Sequence, residues 1–144
     1  AEIMSAIEHY LGWNAPTEAV LAGAGRLGSA LLGYPGFKKQ GFTIVAAFDV
    51  NPKKRGPIAG VPVYPAALIA ETVRRLNVSL GILTVPADQA QSVADAMIAG
   101  GIRGLWNFTP VQLSVPSDVI VKREDLAASL AVLSHRLRHG EKAK

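Results

Sequence analysis

Gly23-Ala24-Gly25-Arg26-Leu27-Gly28 follows the apolar run Ala19–Ala22 and precedes a segment with helical character. A glycine turn of this form, placed between a buried strand and a helix, suits a dinucleotide pyrophosphate. The first glycine permits the tight turn, the second lets the backbone approach phosphate, and the third lets the helix pack on the sheet. The helix start then offers unpaired N–H groups to anionic oxygens. Asp49 closes the next apolar run, Thr43–Phe48, and lies 21 positions beyond Gly28. At that spacing an acidic residue meets the two hydroxyls of an adenosine ribose. A carboxylate there repels a 2′-phosphate, so the cofactor expected is NAD(H) and not NADP. Lys53, Lys54 and Arg55 follow closely and soften that discrimination; Lys54 is counted with the site.

Outward from this turn the chain alternates. Ala19–Ala24 reads as a strand, Arg26 to about Gln40 as one helix, Thr43–Phe48 as a strand and Asn51–Gly60 as a basic loop. Val61–Tyr64 reads as a short strand, and Pro65 starts a helix to about Leu76. Leu80–Val85 is a strand, Ala87–Ala99 a helix, Ile102–Phe108 and Val119–Lys122 strands, and Arg123–Arg138 a closing helix. Strands without polar alternation, each followed by a helix, make a parallel sheet covered on both faces. The expected class is α/β, a Rossmann-type doubly wound, mainly parallel sheet.

The length of 144 residues suits one domain, placed at 17–144. Residues 1–16 read as a leading helix (Ile3, Ile7 and Leu11 on one face) and a linker from a missing upstream domain.

Two further strand ends fall at the carboxyl edge, where ligands of open α/β sheets bind. Thr84-Val85-Pro86 offers backbone N–H groups and an apolar wall. Asn107-Phe108-Thr109 offers polar groups that either meet a nicotinamide or cap their own turn. The expected cofactor set is Gly23, Ala24, Gly25, Arg26, Leu27, Gly28, Asp49, Lys54, Thr84, Val85, Pro86, Asn107, Phe108 and Thr109, with no catalytic or metal residue.

Composition narrows the function. The chain contains no cysteine, which excludes within it a disulfide framework, a thiolate metal site and a cysteine nucleophile. No apolar run reaches the ~20 residues of a membrane span, and a cytoplasmic location is expected. The net charge is +4. Much of the basic excess sits in Arg136, Arg138, Lys142 and Lys144, without interleaved aromatics, and reads as a solvated helix end more than a nucleic-acid surface. The histidines are His9, His135 and His139, none on a loop at the carboxyl edge. Binding without catalysis is favoured, with Asp125 and Lys122 the ionisable groups that could approach the cofactor.

The residues also resemble a family. The glycine turn with Ala30-Leu31, Tyr34-Pro35-Gly36-Phe37, Phe48-Asp49, Thr84-Val85-Pro86-Ala87 with Ala90-Gln91, Gly101-Ile102-Arg103-Gly104 with Asn107-Phe108, and Glu124-Asp125-Leu126 are similar to the NAD-binding domain of Rex-family redox-sensing repressors. The likeness runs from about residue 19 to 137. It implies a sensor of the NADH/NAD⁺ ratio, a homodimer made through an exchanged closing helix (Leu126–Leu137), and Asp125 and Leu126 near the partner's nicotinamide pocket. Arg26 departs from the asparagine common in the family. The family's winged helix is absent, so no direct DNA binding by this chain is expected. Ile7–Gly12 also resembles the last helix of thioredoxin-like ferredoxin subunits of hydrogenases and NADH dehydrogenases, which implies an electron-transfer alternative. A CoA-binding module, as in succinyl-CoA synthetase α-subunits, is a third reading, opposed by Asp49.

Overall fold

Six strands form one sheet in the order β3-β2-β1-β4-β5-β6, and every neighbouring pair is parallel. The computed structural model describes residues 17–51, 53, 56–125 and 133–139. The expected leading helix, Lys54 and the first part of the closing helix lie outside them.

The strands are β1 (Thr17–Ala22), β2 (Phe42–Asp49), β3 (Val63–Pro65), β4 (Leu80–Leu83), β5 (Gly104–Asn107) and β6 (Ile120–Arg123). The helices are α1 (Arg26–Leu32), α2 (Gly36–Lys39), α3 (Ile69–Leu76, preceded by a 3₁₀ turn at Ala66–Leu68) and α4 (Ala87–Gly100). From Ala19 on, β1 is apolar on both sides, as is β4, because both sheet faces are covered there. One face packs Val20, Ala22, Phe48 and Leu83 against Ile69 and Val73 of α3 and Val93 and Met97 of α4. The other packs Ala19, Leu21, Ala47 and Ile82 against Leu32 of α1 and Phe37 of α2.

Register places the carboxyl ends in one row. Ala22 pairs with Phe48 on one side and Leu83 on the other; Leu83 pairs with Asn107, and Asn107 with Arg123. Sequence order reverses between β1 and β4, so the chain leaves these two adjacent strands toward opposite ends of the sheet. The gap between their exits is where a ligand fits in this architecture.

The expected class holds, and several boundaries move. The single helix expected over Arg26–Gln40 is two. Gly33 closes α1, the Tyr34 N–H reaches the Leu31 carbonyl at 3.1 Å, and Pro35 caps α2. Proline lacks an N–H and disfavours helical geometry in the residue before it. β1 begins earlier than expected and ends at Ala22, because Gly23 turns the chain at φ +100. Val61 is not in β3: it exchanges 2.9 Å backbone hydrogen bonds with Ile58 across a tight turn. Pro65 ends β3 where a helix start was expected, and α3 proper begins at Ile69. Arg123, expected to open the closing helix, is the last residue of β6. Residues 133–138 are helical.

Candidate functional site

A cleft of about 470 Å³ opens at the strand-order reversal, lined by Gly23, Gly25, Phe48–Asn51, Ala66, Thr84–Pro86, Gln89 and Val93 among others. Its floor follows from the glycine turn. At Gly23 an added Cβ would stand 2.5 Å from the Thr84 carbonyl oxygen, so only glycine lets the turn lie against the end of β4. The φ of +100 imposes the same choice. The Thr84 hydroxyl lies 2.7 Å from the Gly23 carbonyl oxygen and 3.0 Å from that of Ala22, and its single proton serves one of them at a time. At Gly28 a Cβ would overlap the Gly23 carbonyl, so the third glycine seats α1 against the turn. Gly25 differs: no heavy atom lies within 4 Å of its Cβ position, and it faces the cleft.

Asp49 joins the turn to the end of β2. Its Oδ2 accepts the Ala24 N–H at 2.8 Å, and its Oδ1 accepts the Asn51 N–H at 2.7 Å. Each carboxylate oxygen keeps a further lone pair for a hydroxyl donor in the cleft. The walls are apolar: Phe48, Ala66, Val85 and Val93. Val50 lies at the rim, 60% exposed.

The structure therefore brings Gly23, Gly25, Asp49, Thr84, Val85 and Pro86 to one cavity. Ala24 and Gly28 are buried behind the turn, and Arg26 and Leu27 occupy the first turn of α1, with Arg26 exposed. Asn107 and Thr109 are not in the cleft lining. Asn107 is 1% exposed. Its Oδ1 accepts both the N–H and the hydroxyl of Thr109, at 2.9 and 2.7 Å, and its Nδ2 donates to the Val111 carbonyl at 2.8 Å. These residues cap their own loop, the alternative the sequence left open. Phe108 packs against Trp106, ring centroids 4.7 Å apart, beside the core under α1 and α2.

Residues that line the cleft and that the sequence did not single out are Ala22, Phe48, Val50, Asn51, Ala66, Gln89 and Val93. Gln89 and Val93 were legible as an i, i+4 pair on the helix that Pro86 opens. His135 and His139 lie side by side with ring centroids 4.2 Å apart and are exposed, outside the cleft lining. Among the described residues no group of three or more His, Cys, Asp or Glu could hold a metal, and no helix is long and apolar enough to cross a membrane.

Residues 14–111 match the CoA binding domain family. The chain is 41% identical over 140 residues to the redox-sensing transcriptional repressor Rex of Bacteroides thetaiotaomicron, covering 96% of this chain and 64% of that protein. It is 44% identical over 139 residues to the repressor of the same name from Porphyromonas gingivalis, with 96% and 64% covered. The chain thus spans 64% of the length of these relatives. Among solved structures, RSP, a Rex-family repressor, superposes with a TM-score of 0.84 at 36% identity, over 96% of this chain and 67% of that one. RSP is also known in complex with β-NADH, and with β-NAD⁺ and operator DNA.

Proposed function

Since this chain belongs to the Rex family and carries the CoA binding domain fold, we propose that it is an NAD(H)-binding redox-sensing domain. In this reading it belongs to a transcriptional repressor that responds to the NADH/NAD⁺ ratio. The observation that carries the reading is the Asp49 carboxylate, held by the Ala24 and Asn51 N–H groups at the mouth of a cleft whose floor is Gly25.

The residues present fit the cofactor. The open space over Gly25 admits a pyrophosphate against the turn backbone, and a side chain there would fill it. The free lone pairs of Asp49 suit a ribose diol. Val50, Phe48 and Ala66 provide an apolar wall for adenine, and the Thr84-Val85-Pro86 turn borders the path toward the nicotinamide. Lys54 is assigned to the adenosine end by sequence. Asn107 and Thr109 build the loop beside the site and do not hold the cofactor. When bound, the nicotinamide carries the signal, neutral in NADH and cationic in NAD⁺.

The relatives reported are repressors, which supports sensing over catalysis. Leu133 and Leu137 are 46% and 66% exposed on successive turns of the closing helix. That apolar face supports a homodimer through this helix. Operator contact is assigned to the part of the relatives that this chain does not span, and a cytoplasmic location goes with that role.

A sensor must bind its two ligands unequally in its two states. Calorimetric titration with NADH and NAD⁺ tests this, and unequal affinities are expected. Equal affinities sink the sensor reading while leaving dinucleotide binding intact. Tighter binding of CoA than of either cofactor overturns the reading altogether.

A further inference from the structure

We infer that Asn51 is the positioning residue that makes the cleft choose an unphosphorylated adenosine ribose over a 2′-phosphorylated one. This rests on the NAD(H) reading above. A carboxylate discriminates against a phosphate only if it stays where the phosphate must go. Asp49 ends a strand, and a free side chain there would rotate toward solvent or toward a cation. Cations are at hand: Lys53 is exposed, and the sequence continues with Lys54 and Arg55. With the acid swung aside, the positive charge carried by this stretch of sequence attracts a sugar phosphate.

Two backbone donors prevent the swing. The Ala24 N–H fixes one carboxylate oxygen at 2.8 Å and the Asn51 N–H fixes the other at 2.7 Å. The first donor belongs to the glycine turn. The second is aimed by its own residue's side chain, because Asn51 Oδ1 accepts the Lys53 N–H at 3.0 Å and closes a local turn. Position 52 is a proline, which has no N–H and biases Asn51 toward extended geometry. Asn51 thus acts through Asp49. Its side chain sets its backbone, its backbone N–H sets the carboxylate, and the carboxylate, held across both oxygens, faces the cleft that Asn51 also lines.

The test titrates the wild-type chain and the variants N51A, N51S and D49A with NADH and NADPH at one ionic strength. Exchange of the Ala24 amide is measured in the ligand-free chain. Wild type is expected to prefer NADH strongly. N51A should narrow that preference about tenfold, through both weaker NADH and stronger NADPH binding. N51S, whose hydroxyl closes the same turn less firmly, should fall between, and D49A should abolish the preference. The Ala24 amide should exchange faster in N51A, a readout that needs no cofactor. N51S carries the comparison should N51A fail to fold. An unchanged NADPH/NADH ratio in N51A, or unchanged Ala24 exchange, overturns the role of Asn51 and leaves NAD(H) binding standing. Equal wild-type affinities for the two cofactors overturn it as well, while failure of wild type to bind either removes the NAD(H) reading and this inference with it.

Discussion

A Cβ on Gly28 would meet the carbonyl oxygen of Gly23 well inside van der Waals contact, and the hydroxyl of Thr84 at 2.8 Å. The first obstacle is backbone, which cannot rotate aside as a flexible side chain can. Gly28→Ala therefore has to push α1 off the turn. The expected cost is about 3 kcal/mol or more by urea denaturation, with NADH binding lost, since the turn that would hold the pyrophosphate is the part displaced. Destabilisation under about 1 kcal/mol would show that the turn is not packed as described.

Gly25 provides the contrast within the same motif. Its Cβ position is empty out to 4 Å, and its φ of -76 suits any residue. Gly25→Ala is expected to leave stability within about 1 kcal/mol of wild type. It should weaken NADH at least tenfold, about 1.4 kcal/mol, because the methyl enters the cleft. Equilibrium unfolding and calorimetry on the same sample separate the two effects.

At Asp49 the partners are both donors, so a neutral isostere is not a mild change. In Asp49→Asn one of the two N–H groups must face an NH₂. In Asp49→Ala both lose their acceptor but meet no opposing donor. Both variants should bind NADH at least tenfold more weakly. Asp49→Asn should be no more stable than Asp49→Ala, each losing about 1–3 kcal/mol. NADH affinity unchanged in both would remove Asp49 from the site.

The glycine turn, Asp49 and the Val85-Pro86 turn were legible because each is a short signal with one local cause: a steric demand, a strand end, a residue without an N–H. The alternation of apolar runs and helices was legible for the same reason, since burial on both faces removes the polar period of two from the strands. The break in the first helix was written in Gly33 and Pro35, but a glycine or proline marks a possible stop and packing decides whether the helix resumes. Asn107 shows a deeper limit. A polar residue at a strand end has the same sequence whether it turns toward a ligand or into its own loop, and only Thr109 and Val111 as partners distinguish them. The Gln91–Ser114 contact, 23 residues apart, leaves no local trace.

That contact carries its own prediction. The side-chain amide of Gln91 bonds both backbone groups of Ser114, Nε2 to its carbonyl and Oε1 from its N–H, each at 2.9 Å. Asp95 Oδ1 accepts from the same Nε2 at 2.8 Å and orients it. The pair straps the segment after β5 to α4, the helix whose first turns line the cleft. The bonds are exposed, so Gln91→Ala should cost only about 1 kcal/mol. Amide exchange should rise at Ser114 and its neighbours while β4 and β5 stay protected. Gln91→Glu should behave no better, since it loses the donor to Ser114 and places a second negative charge beside Asp95.

Asn107→Ala tests whether this side chain serves the loop or a ligand. Removing the amide leaves the buried N–H and hydroxyl of Thr109 without their acceptor, and the Val111 carbonyl without its donor. Water does not readily replace it at a residue 1% exposed. Unsatisfied buried groups of this kind cost about 1–3 kcal/mol each when nothing relaxes; the Thr109 hydroxyl can rotate and the Val111 bond is only part-buried, so a total loss of about 2–4 kcal/mol is expected. Because Asn107 lies outside the cleft lining, NADH affinity measured on the folded variant should change by less than about threefold, under ~0.7 kcal/mol. The opposite pattern, stability retained and NADH affinity lost, would place Asn107 on the cofactor and require the loop to open when it binds.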